Sequence, residues 1–160
     1  MSRPVYDRRD AQAGKHYDME KELDGIHINT RTKRAYLRAV AATVCEAAEI
    51  PQVRLTFKRL RENDLGDCMH GHVRLNTRTT CSGVNIMILL HELSHAICEE
   101  YFDEAQSHGP EFAAIYRSLL DTYKILPAKC FNMIARKHRV KVQGIMYDFG
   151  EPPSKSATLK

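Results

Sequence analysis

No apolar run in the chain approaches the roughly 20 residues that a membrane-spanning helix needs. The longest, over 84–90, stops at His91. The charged first ten residues, MSRPVYDRRD, contain no apolar core, so no secretory leader is expected. There is also no C-x-x-C pair. The five cysteines, Cys45, Cys68, Cys81, Cys98 and Cys130, are odd in number and far apart. That pattern argues against a disulfide scaffold and against a zinc ribbon. It leaves free, partly buried thiols in an intracellular protein as the expectation. No internal repeat is present. What remains is ordinary globular composition, 43% apolar and 28% charged over 160 residues, enough for one domain with its own core.

The net charge of +4 is modest but uneven, and all of it falls in residues 1–80. Basic clusters occur at Arg31, Lys33, Arg34 and Arg38, at Arg54, Lys58, Arg59 and Arg61, and along 124–141, which includes Arg136, Lys137 and Arg139. If such faces converge they offer a phosphate-binding surface, with Arg54, Lys58, Arg59, Arg136, Lys137 and Arg139 as the expected nucleic-acid contacts. The plain alternative is solvated helix and strand faces.

Residues 1–24 are charged and poorly patterned and read as an arm, with room for a short helix. A domain over 25–149 and a disordered tail over 150–160 complete the expected organisation. Apolar residues at three- and four-residue steps predict a helix over 30–49, capped by Asn29 or Thr30 and stopped by Pro51. Alternation predicts one strand over 52–60 and a second over 68–76. A helix over 84–102 is apolar almost all round at its start, which marks it as a core helix. Pro110 and Pro127 open two more helices, and 139–148 alternates like a strand.

The chemistry lies in HELSH, residues 91–95. His91 and His95 are four apart and project from one helix face, a spacing that holds one Zn²⁺. Glu92 lies about 100° round the helix, where it reaches a water activated by the metal and not the metal itself. As general base it would take that water's proton and later pass it to the leaving amine. The bland alternative is a surface helix that carries these residues by chance. Here they interrupt an apolar helix, and burying them unpartnered would cost roughly 1–3 kcal/mol for each group. A third protein ligand is needed, and spacing alone leaves Glu99, Asp103, Glu104, His108 and Glu111 open.

HELSHAI followed by SHGPEFAAIYRSLL resembles the SprT-like zinc metallopeptidases, which include the eukaryotic Spartan proteases. Their pattern is an H-E-x-x-H helix, a variable loop, then H-G-x-x-F opening the next helix. HGPEF at 108–112 is a close form of that second element. The resemblance implies His91, His95 and His108 as zinc ligands, with one zinc per chain, and Glu92 as general base. It implies a small zincin-type α+β domain, helices packed on a short, mostly antiparallel sheet. Substrate would lie along an edge strand, here residues 72–76. The family's frequent four-cysteine ribbon has no counterpart, since Cys130 alone lies in the last third. The eleven tail residues cannot supply the DNA- and partner-binding tails of Spartan, so any DNA affinity would fall to the basic stretches.

Smaller candidates are Cys68, His70 and His72, which one strand would turn to the same side as a second metal site. Tyr101, Tyr116 and Tyr147 are further candidates, as donors to an oxyanion. The expected function is an intracellular zinc endopeptidase acting on protein substrates, DNA-associated ones included, with no membrane partner. The rivals are a non-catalytic zinc-stabilised module binding DNA or protein, and an ImmA/IrrE-like regulatory peptidase, which HGPEF disfavours.

Overall fold

A computed structural model describes residues 12–26, 31–78, 84–102 and 107–154. Several expectations fall outside them: the first eleven residues of the arm, the caps Asn29 and Thr30, Cys81, the open ligands Asp103 and Glu104, and the tail from 155 on. In chain order the elements are α1 (Ala13–Ile26), α2 (Arg34–Ala47), β1 (Arg54–Lys58), β2 (Gly66–Met69), β3 (His72–Asn76), α3 (Ile86–Tyr101), α4 (Pro110–Thr122) and α5 (Ala128–Lys137). This is a small α+β domain. No helix among the described residues is long and apolar enough to cross a membrane.

The arm reading needs correcting over 13–24. These residues belong to a helix whose inner stripe is His16, Met19, Glu20 and Leu23, at steps i, i+3, i+4 and i+7. Met19 and Leu23 are fully buried in the main core, and His16 is fully buried as well. Half of the stripe is ionisable, so apolar periodicity alone does not reveal it.

Helix α2 buries Tyr36, Leu37, Val40, Ala41, Val44 and Cys45, as its spacing predicts. Its N-cap is Lys33, with no side-chain cap bond. At the other end Glu49 takes a left-handed conformation, φ 54°.

The expected second strand is in fact two. His70 and Gly71, at φ 48° and 70°, make a two-residue turn that folds β2 back on β3, with Met69 opposite His72. Positive φ at both central residues is the hairpin geometry that matches strand twist. The sheet order is β1-β3-β2, with β1 parallel and β2 antiparallel to β3. Residues 72–76 are therefore the central strand, and β1 and β2 are the edges. Burial agrees: Val73, Leu75 and Asn76 are buried, whereas β2 has no buried residue.

Helix α3 starts at Asn85, whose side chain accepts the N–H of Ile88. It is buried along most of its length and packs on β2, β3, α2 and α4. Pro110 opens α4, with Glu111 in its first turn. The expected strand over 139–148 has no ladder partner among the described residues. Its backbone is satisfied by α4 and its approach: Arg117 donates to the carbonyls of Gln143 and Ile145, the Gln143 N–H bonds Pro110 O, and the Tyr147 N–H bonds Ser118 Oγ. The alternation there reflects a strap anchored by buried Val140 and Phe149.

Candidate metal centre

His91, Glu92 and His95 stand in the middle of α3, and His108 in the turn that leads into α4. The three histidine rings meet there. Nε2 of His91 is 3.1 Å from Nε2 of His95 and 3.4 Å from Nε2 of His108. Zinc–nitrogen bonds of 2.0–2.1 Å in tetrahedral geometry put ligand nitrogens about 3.3–3.4 Å apart. The three imidazoles thus converge at the spacing a zinc ion requires. His91 and His108 are buried and His95 half-buried.

Phe112 explains the second half of HGPEF. Its ring centroid lies 5.0 Å from that of His91, 4.5 Å from His95 and 4.9 Å from His108, so one side chain floors all three. One turn further, Tyr116 packs under His91 at 5.5 Å. The turn at His108 is fastened by Gln12, just ahead of α1, which donates to His108 O at 2.7 Å and to Lys141 O at 3.0 Å, and accepts from the Lys141 N–H.

Electrostatics assign different tasks to the histidines in the metal-free chain. Burial opposes the charged ring of His91, but the charge and hydrogen bond of Glu20 outweigh it and carry its pKa up to about 9. Burial, then the charges of His91 and His108, push His95 well below its ordinary range, leaving the ring neutral. Burial raises Glu20, but His91 beside it holds it well below the usual carboxylate range. Glu92 is pushed up to about 7, chiefly by burial, with Asp67 and Glu20 adding to the effect and His91 opposing it.

A pH dependence follows. A dication can bind Nε2 of His91 only after displacing the proton that a pKa near 9 keeps there at neutral pH. Metal affinity should therefore rise with pH, about tenfold per unit while one proton is displaced, and level off above His91's pKa. Chelator competition between pH 6 and about 9 measures the slope, and an affinity independent of pH would contradict it.

Glu92 also touches the sheet. A Cβ added at Gly66, the first residue of β2, would lie 3.1 Å from Glu92 Oε1, 3.0 Å from Ile88 Cγ2 and 3.1 Å from the Arg74 carbonyl. The carbonyl is fixed in the ladder, so the two side chains of α3 must give way. Gly66→Ala should cost about 1–3 kcal/mol of stability and move the Glu92 carboxylate without removing any histidine. Thermal melts and metal content measure both, and an unchanged melting temperature would contradict the contact.

The other sequence candidates fare differently. Glu99 is exposed, Glu111 is half-buried in the first turn of α4, and neither belongs to a metal-type cluster among the described residues. The Cys68, His70 and His72 site dissolves because the three do not share a strand. Cys68 pairs with Val73 and packs against the core, His70 is in the turn, and His72 bonds Thr56 Oγ1 at 2.9 Å. Burial, reinforced by nearby carboxylates, pushes the thiols of Cys68 and Cys98 up to about 12, so both stay protonated. Tyr101 donates to Ala48 O, Tyr147 lies 3.5 Å from Gln143 Oε1, and Tyr116 is buried among the rings.

Arg34 and Arg38 of α2 both stand 5.0 Å from the ring centre of Phe57 on β1, and the same strand exposes Arg54 and Lys58, which alternate to the face opposite Phe57. Arg59 follows β1 and is exposed. Arg136, Lys137 and Arg139 lie at the end of α5, where Lys137 is engaged by Glu22 at 2.8 Å. Sequence reasoning missed Glu20, His16 and Gln12. The stripe at 16, 19, 20 and 23 is the signal that could have found the first two.

The model of the SprT-like family matches residues 16–133 of the chain. No curated protein and no solved structure matches it.

Proposed function

The chain belongs to the SprT-like family, a metallopeptidase-like family, and on that premise we propose that it is a zinc-dependent endopeptidase. The observation that carries the proposal is the convergence of three Nε2 atoms at zinc spacing, with the buried Glu92 carboxylate one residue along α3. His91, His95 and His108 would hold the ion. Bound there, zinc would polarise the scissile carbonyl and bring the pKa of a water to roughly 7.

The chain's own residues do the rest. Glu92 takes the proton of the attacking water on its carboxylate as the new C–O bond forms, and delivers it to the amine nitrogen as the C–N bond breaks. Phe112 keeps the floor of the site apolar, which strengthens electrostatic interactions above it. Polypeptide substrate would pair in extended form along the edge strand β2, whose first residue abuts Glu92.

The test is mass spectrometry of an unfolded protein substrate incubated with the zinc-loaded chain. Cleavage abolished by a chelator and restored by zinc supports the proposal. No cleavage by zinc-replete protein, with or without DNA, would turn the reading to a binding module.

The basic side chains around the edge strand β1, Arg34 and Arg38 at Phe57 and exposed Arg54 and Lys58, support DNA-associated proteins as substrates. Four phosphate contacts give a slope of log affinity against log salt of about −3.6 for duplex DNA. Fluorescence anisotropy with a labelled duplex measures it. Arg54→Glu with Lys58→Glu should remove most of the binding, and unchanged binding would place the surface elsewhere.

A further inference from the structure

Glu20 stands behind the three histidines, on a helix outside both recognised motifs. Its Oε1 is 2.5 Å from Nδ1 of His91. The opposite nitrogen of that ring, Nε2, is the one that faces His95 and His108. One edge of the imidazole thus meets the carboxylate and the other meets the centre.

His16, Glu20 and His91 present polar atoms within 4.8 Å of one another, so a second ion between them must be weighed. Two ligands sharing a tetrahedral ion at 2.0–2.2 Å stand about 3.3 Å apart. At 2.5 Å the pair His91 Nδ1 and Glu20 Oε1 leaves no place for an ion and fits a charge-assisted hydrogen bond. His16 Nδ1 is 3.7 Å from Glu20 Oε2, beyond hydrogen-bond range. The geometry favours one strong bond over a second metal.

We propose that Glu20 is the positioning residue of the metal centre. It accepts the Nδ1–H of His91, which fixes the tautomer with its lone pair on Nε2 and stops rotation of the ring. A carboxylate in that position also makes the ligand nitrogen more basic. His16, fully buried one turn earlier on α1, fills the space beside the second oxygen and packs edge-on against Phe112 at 5.0 Å. Helix α1 is therefore a working part of the centre, although His91 and Glu20 are 71 residues apart. The inference rests on the three-histidine reading of the site.

The experiment compares wild type, Glu20→Gln and Glu20→Ala in the full chain. Zinc dissociation constants come from competition with a chromophoric chelator, corrected for the proton competing at His91 from their pH dependence, and ligand geometry from the visible spectrum of the cobalt(II)-substituted protein. Glu20→Ala should weaken zinc binding about 10–100-fold and alter the cobalt bands, because His91 loses its fixed orientation. Glu20→Gln, whose amide oxygen still accepts the Nδ1–H, should weaken zinc by several-fold. A merely structural Glu20 would lower the melting temperature but leave affinity and spectrum alone. Affinity within twofold of wild type and an unchanged spectrum, in folded Glu20→Ala or in Glu20→Gln if the alanine variant does not fold, overturn the inference alone. Wild type that binds no zinc overturns the three-histidine reading and this inference with it.

Discussion

Glu92→Gln should keep about one zinc per chain and lose about 10²–10⁴-fold in kcat. The amide matches the carboxylate in shape and can still orient a water, but it cannot take a proton. All three histidines keep their positions, so metal content stays at the wild-type level. The pH profile supplies a second check. Burial raises Glu92 to about 7 in the metal-free chain, and a bound dication would move it lower. A base works only when deprotonated, so wild-type activity should fall as pH drops through that value. Residual activity in the glutamine variant should lack this acid limb. Steady-state kinetics from pH 5 to 8 with metal analysis decides it. A variant that loses its metal would mean that Glu92 holds the site together. One that keeps both metal and activity would remove Glu92 as the general base.

His108→Ala should weaken zinc binding by roughly 10²–10³-fold. Four-ligand structural sites are worth about 10–16 kcal/mol, or roughly 2.5–4 kcal/mol for each ligand. Proteolysis should fall with the metal. The variant also leaves a gap beside Tyr17 and Phe112, whose rings stand 4.9 Å from that of His108, so a lower melting temperature is expected. Glu99→Ala is the matched control. Spacing left Glu99 open as a ligand, but the side chain is exposed at the end of α3. It should retain full zinc. Full zinc in His108→Ala, with loss in Glu99→Ala, would reverse the assignment.

The parts legible in the sequence were those written in local periodicity. HELSH declares its face through a four-residue step on one helix, and HGPEF couples a turn histidine to a helix phenylalanine four residues on. The apolar stripe of α2 and the proline starts of α4 and α5 are equally local. Sheet order was not legible, because the place of β3 between β1 and β2 depends on pairing between distant residues. Its apolar alternation through Val73 and Leu75 fits either position. The His70–Gly71 turn hid because it lies in a continuous polar-apolar pattern that one strand would also produce. Helix α1 hid for a different reason. Its inward face carries His16 and Glu20, which count as surface residues until the imidazole of His91 is seen against them. The third ligand could not be chosen by spacing, since a loop of that length can deliver any of several side chains.

X-ray absorption at the zinc edge of the loaded wild-type protein tests the central claim most directly. The account predicts about three imidazole nitrogens at 2.0–2.1 Å and one further light atom, with no sulfur. Sulfur at about 2.3 Å, a six-atom oxygen shell, or protein that takes up no zinc would contradict it.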